Sequence, residues 1–93
     1  MNSEGWQCFL EWCTATQDKT LLSELFDCLL TPEEHESIET RCLIVSALLD
    51  QARPQRQISE DLKVSIAKIT RGSNQLKRIS PRLKTYLRTH RRG

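Results

Sequence analysis

Within the stretch ITRGSNQLKR, residues 69–78, an arginine stands directly before a glycine inside what otherwise reads as one helix. On that helix Lys68, Arg71, Asn74 and Lys77 can point outward, while Thr70 and Asn74 are sized for phosphate oxygens or bridging water. Just upstream, Gln55 and Arg56 open another short helix. Arginine grips guanine with two hydrogen bonds and glutamine grips adenine. Together these side chains offer the chemistry of a polyanion reader, with phosphate neutralisation alongside base-edge recognition. Gly72 is the anomaly, because an interior glycine costs a helix roughly 1 kcal/mol relative to alanine.

The elements that must position these groups follow from apolar spacing and capping chemistry. Trp6, Phe9, Leu10 and Cys13 recur at helical intervals and predict a first amphipathic helix over 4–17, and a second covers 21–30. Thr31, Pro32 and Glu34 form a capping box with proline at the first helical position, so a long helix starts at Pro32. Its second half is apolar on more than one stripe and needs cover on nearly every side, which a second copy of the chain would supply. The alternative is a central helix wrapped by its own neighbours.

After Pro54 a short helix, 55–62, carries Ile58 and Leu62 inward. Lys63, Val64 and Ser65 make a turn with Ser65 as N-cap, and a helix from Ile66 follows, with Ile66, Ile69 and Leu76 facing inward. Short helix, three-residue turn, second helix is helix-turn-helix grammar. Lys63 falls where a left-handed backbone favours Gly or Asn. Ser80 and Pro81 start a last helix whose apolar stripe is Leu83 and Leu87, with Tyr86 beside them. The fold class is therefore all-α with six helices and one 93-residue domain.

Charge divides along the chain. Residues 1–50 hold ten acids against Lys19 and Arg41, and residues 51–93 hold twelve bases against Glu60 and Asp61, so halves of −8 and +10 leave a net +2. Concentrated positive charge around a helix-turn-helix points to a nucleic acid. The competing reading is a helical hairpin whose charges only keep it soluble, or a basic interaction module for an acidic partner. Cys8, Cys13, Cys28 and Cys42 form no C-x-x-C pair, and His35 and His90 are not spaced to complete a metal site, so the thiols are expected buried and reduced. No signal peptide or membrane span is evident, which predicts a cytoplasmic protein. No nucleophile–base grouping or paired-carboxylate pocket emerges, which argues against an enzyme.

LLTPEE (29–34), TR followed by IV (40–45) and, above all, I-A-x-I-T-R-G-S-N-x-L-K (66–77) resemble the tryptophan repressor family, without gaps from about Trp6 to Leu87. The resemblance implies an intertwined homodimer in which 1–52 and 79–93 form the dimer core and 54–78 the DNA-reading head. It implies L-tryptophan as co-repressor, with no metal, and operator DNA as partner. The matched ligand positions are Arg41 and Arg71 flanking the indole, Gly72 beneath it, Thr31 and Gln75 nearby, and the carbonyls of Cys28 and Leu30 of the other subunit receiving the ammonium. The implied DNA-facing set is Gln55, Arg56, Ile66, Ala67, Lys68, Thr70, Arg71, Asn74 and Lys77, so Ile66 belongs both to the inward stripe and to this set. Three positions depart from the family pattern: Lys68 stands for a common Thr, Gln75 for a frequent Ser and Ser59 for a possible DNA-contacting Lys. The rival within the same scaffold is a helix-turn-helix regulator with a different co-ligand or none.

Overall fold

The computed structural model describes residues 3–91. Among the described residues there are six helices and no strand: α1 (Glu4–Thr14), α2 (Lys19–Leu29), α3 (Pro32–Asp50), α4 (Gln55–Leu62), α5 (Ile66–Leu76) and α6 (Pro81–His90). Packing divides the chain into two units, Met1–Glu36 and Ser37–Gly93.

In the first unit each helix starts on a side-chain cap. Ser3 Oγ accepts from the Trp6 N–H at 3.2 Å, and Asp18 Oδ1 accepts from the N–H groups of Thr20 and Leu21 at 2.9 and 3.2 Å. Such caps satisfy donors that a helix start leaves without an internal partner. Phe9 of α1 stacks on Phe26 of α2 with ring centroids 6.0 Å apart, and Trp6 tilts against Phe9 at 5.3 Å. The expected capping box is present. Thr31 Oγ1 accepts from the Glu34 N–H at 3.2 Å, and Glu34 Oε1 accepts from the Thr31 N–H at 2.9 Å.

The second unit holds the core. Ile44 and Ala47 of α3, Ile58 of α4 and Ile69 of α5 are buried together, with Leu48, Leu62 and Val64 packed against them. Ile58 and Ile69 are fully buried, each contributing about 1.5–3 kcal/mol by leaving water. α3 stops where Gln51 turns to φ 55°, a left-handed conformation that breaks the helical hydrogen-bond ladder. Ser65 and Ser80 cap α5 and α6 through the N–H groups of Lys68 and Leu83.

Two helices are shorter than the spacing predicts, α1 ending at Thr14 rather than 17 and α5 at Leu76 rather than 78, while α2 runs over 19–29 rather than 21–30. Thr14 accounts for part of this, since its hydroxyl donates to the Leu10 carbonyl and competes with helix propagation. Two expectations about burial are corrected. Ile66 is 50% exposed rather than inward, because as the first residue of α5 it lies beyond the Ile58–Ile69 contact. The thiols are free but not buried: Cys8 and Cys13 are half-buried and Cys28 and Cys42 exposed, because no residue of α1 or α2 is buried in the single chain and Cys42 lies outside the buried set of α3. Tyr86 is likewise 60% exposed, its ring 4.6 Å from that of His90.

Candidate nucleic-acid interface and ligand-facing residues

The α4–turn–α5 unit is fixed by one buried contact and one strained turn. Ile58 and Ile69 lock the two helices together. Between them Lys63 adopts φ 56°, ψ 45°, the left-handed geometry that the spacing predicts, and its N–H reaches the carbonyls of Glu60 and Ser59. Ser59 then clasps Val64 from both sides: its carbonyl accepts from the Val64 N–H at 3.1 Å, and its hydroxyl donates to the Val64 carbonyl at 2.6 Å. A lysine at position 59 has no hydroxyl and could not close this clasp. Sequence reading treats Ser59 only as a lost charge. The missed signal is a small hydroxyl residue one helical turn before a left-handed position.

A second clasp lies at the entry to the unit. Arg53 pairs with the Asp61 carboxylate, and the Gln57 side-chain amide donates to the same carboxylate at 2.8 Å. The hydrogen bond from Gln57, then that from Arg53, holds the Asp61 carboxyl below its ordinary value of 3.8, outweighing the opposing desolvation. Asp61 thereby ties the α3–α4 link to the last turn of α4. The Gln57–Asp61 half of it is legible as an i, i+4 pair, whereas Arg53 is not.

The DNA-facing set divides by position. Ile66, Ala67, Lys68, Thr70, Arg71, Asn74 and Lys77 are all exposed, as is Arg56, while Gln55 is half-buried. Thr70 Oγ1 donates to Gln55 Oε1 at 3.3 Å, joining the first residue of α4 to the middle of α5 across the helix pair. With its oxygen so engaged, Gln55 keeps its amide N–H groups as the donors it can still offer. Ile66 and Ala67 stand at the Ser65-capped start of α5, where free backbone N–H groups favour a phosphate.

The ligand-facing residues fall into two groups. Arg41 and Arg71 are exposed on α3 and α5, and those helices meet at Gly72, where an added Cβ would lie 3.0 Å from Ile44 Cγ2 and 3.4 Å from Leu48 Cδ1. Ile44 is one turn beyond Arg41, so this crossing brings the two arginine-bearing segments together. Gln75, one turn on from Arg71, is exposed. The other group belongs to the first unit. At the α2–α3 joint the Leu30 N–H returns to the Phe26 carbonyl, and the His35 N–H goes to that of Thr31. Pro32 has no N–H to give the Cys28 carbonyl, and the Glu34 N–H goes to Thr31 Oγ1 rather than to Leu30. Both carbonyls lie at a helix C-terminus, whose dipole favours a cation.

The sequence matches the family model described as Trp repressor protein over residues 4–91. The chain belongs to the Trp repressor family. Among its relatives the Trp operon repressor homolog of Chlamydia caviae is 45% identical over 87 residues, covering 94% of this chain and 86% of the relative. That of Chlamydia trachomatis serovar D is 43% identical over 83 residues, covering 89% and 88%. The Mannheimia succiniciproducens homolog is 40% identical over 89 residues, covering 96% and 88%. Membership in the Trp repressor family sets the class of activity as transcriptional repression rather than enzymatic turnover, and the six-helix, strand-free architecture agrees with it. Among the described residues no three His, Cys, Asp or Glu side chains come together as a metal site, and no helix is long and apolar enough to cross a membrane.

Proposed function

We propose that the protein is an L-tryptophan-gated repressor, cytoplasmic and homodimeric, which reads a palindromic operator through paired α4–α5 units. The observation that carries this reading is the α4–turn–α5 unit itself, whose exposed face bears Arg56, Lys68, Thr70, Arg71, Asn74 and Lys77 in a chain of this family. Residues 54–78 act as the reading head, and 1–52 with 79–93 as the dimer core. Two-fold symmetry sets the two α5 helices about one DNA turn, or 34 Å, apart.

Support for a second copy comes from apolar surface on the helices assigned to the core. Trp6, Trp12 and Leu21 are each about half exposed, and Ile38 and Leu83 are 41% exposed. Large apolar area of this kind is what a subunit interface covers.

L-Tryptophan binds with its ring over Gly72 between Arg41 and Arg71, whose planar guanidiniums stack on an indole and pair with its carboxylate better than lysine does. Its ammonium goes to the carbonyls of Cys28 and Leu30 of the other subunit, with Thr31 and Gln75 at the rim. A ligand seated there braces the reading head against the core, and its higher affinity for the DNA-competent orientation makes it a switch.

The experiment is the mobility of a palindromic duplex, selected from random sequence by the protein itself, with and without L-tryptophan. Retardation only with the amino acid is expected, and equal retardation without it refutes the gating. One observation favours a second reading, a regulator of the same scaffold with another co-ligand or none: the Ile44 contact alone gives Gly72 a reason to lack a side chain. Calorimetry with L-tryptophan separates the two, because only the first reading gives saturable binding at about one site per subunit.

A further inference from the structure

From Leu62 to the end of the chain there is no acidic residue, yet ten basic ones occur. The reading helix accounts for Lys68, Arg71 and Lys77. α6 carries Arg82, Lys84 and Arg88, and Arg91 follows at its C-cap. Lys84, Arg88 and Arg91 are spaced i, i+4, i+7 and share one face. This arrangement works against the helix itself. Like charges one turn apart repel, and Arg82 and Lys84 crowd the positive end of a dipole with no acid in the first turn to offset them. Among the described residues the ion pairs include one from Arg91 to Asp50 at 3.6 Å, and none from Lys84 or Arg88.

That single pair also fixes where the stripe lies. Asp50 is the last residue of α3, and the link that begins there leads within a few residues to Gln55 and Arg56 at the start of α4. Arg91 additionally donates from Nη1 to the Arg88 carbonyl at 2.9 Å, which ties its side chain back to the last turn of α6. The basic stripe of α6 thus ends beside the entry to the reading head.

We propose that the Lys84–Arg88 face of α6 is a second, sequence-independent DNA contact, which grips backbone phosphates next to those reached from the start of α4. The proposal rests on the reading of the α4–α5 unit as the DNA head. Phosphate charge is the complement this face lacks within its own chain, and contacts of this kind add affinity without adding sequence preference.

The test is equilibrium binding of wild type and the Lys84→Gln/Arg88→Gln double variant to the selected palindrome and to a scrambled duplex of equal length, over a range of KCl with saturating L-tryptophan. Each engaged side chain contributes about 0.9 to the slope of log K against log salt. The variant's slope should therefore be shallower by about 1.8 per subunit on both duplexes, with the ratio between them preserved. The charge-conserving pair Lys84→Arg/Arg88→Lys should restore the slope, which excludes misfolding as the cause. An unchanged slope overturns the proposal. Unchanged slope with easier subunit dissociation also overturns it, and assigns these charges to the acidic half of a second copy. A wild type that binds both duplexes equally refutes the base-reading head, while the slope difference still decides the role of α6.

Discussion

Gly72 and Ile44 meet across the α3–α5 crossing so closely that a methyl group on the glycine would stand 3.0 Å from Ile44 Cγ2. Ile44 is 3% exposed and belongs to the buried cluster, so it has little room to yield. Alanine in place of an exposed interior glycine stabilises a helix by roughly 1 kcal/mol. Here that gain is opposed by overpacking, which costs about 1–3 kcal/mol. Gly72→Ala is therefore expected to lower stability by about 1 kcal/mol net. Ile44→Leu, which moves the branch away from Cβ, should recover part of the loss. Urea unfolding of both single variants and the double variant at one protein concentration measures the coupling. Additive effects would show that the crossing does not constrain residue 72.

The Ser59–Val64 clasp and the left-handed Lys63 make opposite predictions for neighbouring sites. Ser59→Ala removes the donor to a part-buried carbonyl and should cost about 1–2 kcal/mol. Lys63→Gly relieves φ 56° and should return roughly 1 kcal/mol. Amide exchange in α5 reports both changes: faster for the serine variant and slower for the glycine variant. Equal protection in the two would mean that the turn does not limit opening of the head.

Most of the fold is legible in the sequence because its signals are local. The Thr31–Glu34 box and the Ser65 and Ser80 caps lie within a few residues of what they organise, and Ile58 and Ile69 each fall on the apolar stripe of their own helix. The charge division points to a nucleic acid, and the motifs at 29–34, 40–45 and 66–77 carry the family resemblance. What the sequence conceals is set by contacts between distant segments. That α5 meets α3 at Ile44 gives Gly72 a packing role that no periodicity reveals. The link from Thr70 to Gln55 spans 15 residues and changes which atoms Gln55 offers. Cysteine burial is misread for a related reason: helical apolar spacing says which face seeks cover, not whether one chain provides it.

Acid should loosen the entry to the reading head before it unfolds the core. The carboxyl of Asp61 is held below its ordinary value by Gln57 and Arg53, so its folded-state pKa is lower than its unfolded one. A depressed carboxylate contributes stability that is fully present above the unfolded value and lost as pH falls through the folded one. The stability difference between wild type and Asp61→Asn should therefore be constant from neutral pH down to about pH 5 and shrink below pH 4. Chemical unfolding midpoints across that range test it. A difference that persists at the acid end would mean the carboxylate's charge is not what holds the clasp.

A last prediction concerns the apolar stripe of α3. Ile38, Cys42, Val45 and Leu49 follow one another at i, i+4, i+7 and i+11 and so share a face, yet Leu49 is buried in the single chain whereas Ile38 is 41% exposed. In a monomer a charged residue at such an exposed site changes stability by no more than about 0.5 kcal/mol. In an intertwined dimer the same change places an unpaired charge in the interface, which costs several kcal/mol. Ile38→Glu is therefore expected to shift the protein to monomer in sedimentation equilibrium and to abolish retardation of the palindrome. Ser37→Glu, one position away, should leave both unchanged, because Ser37 does not lie on that face. A fully dimeric Ile38→Glu variant would place the subunit interface elsewhere and remove the stripe from the argument for two-fold pairing.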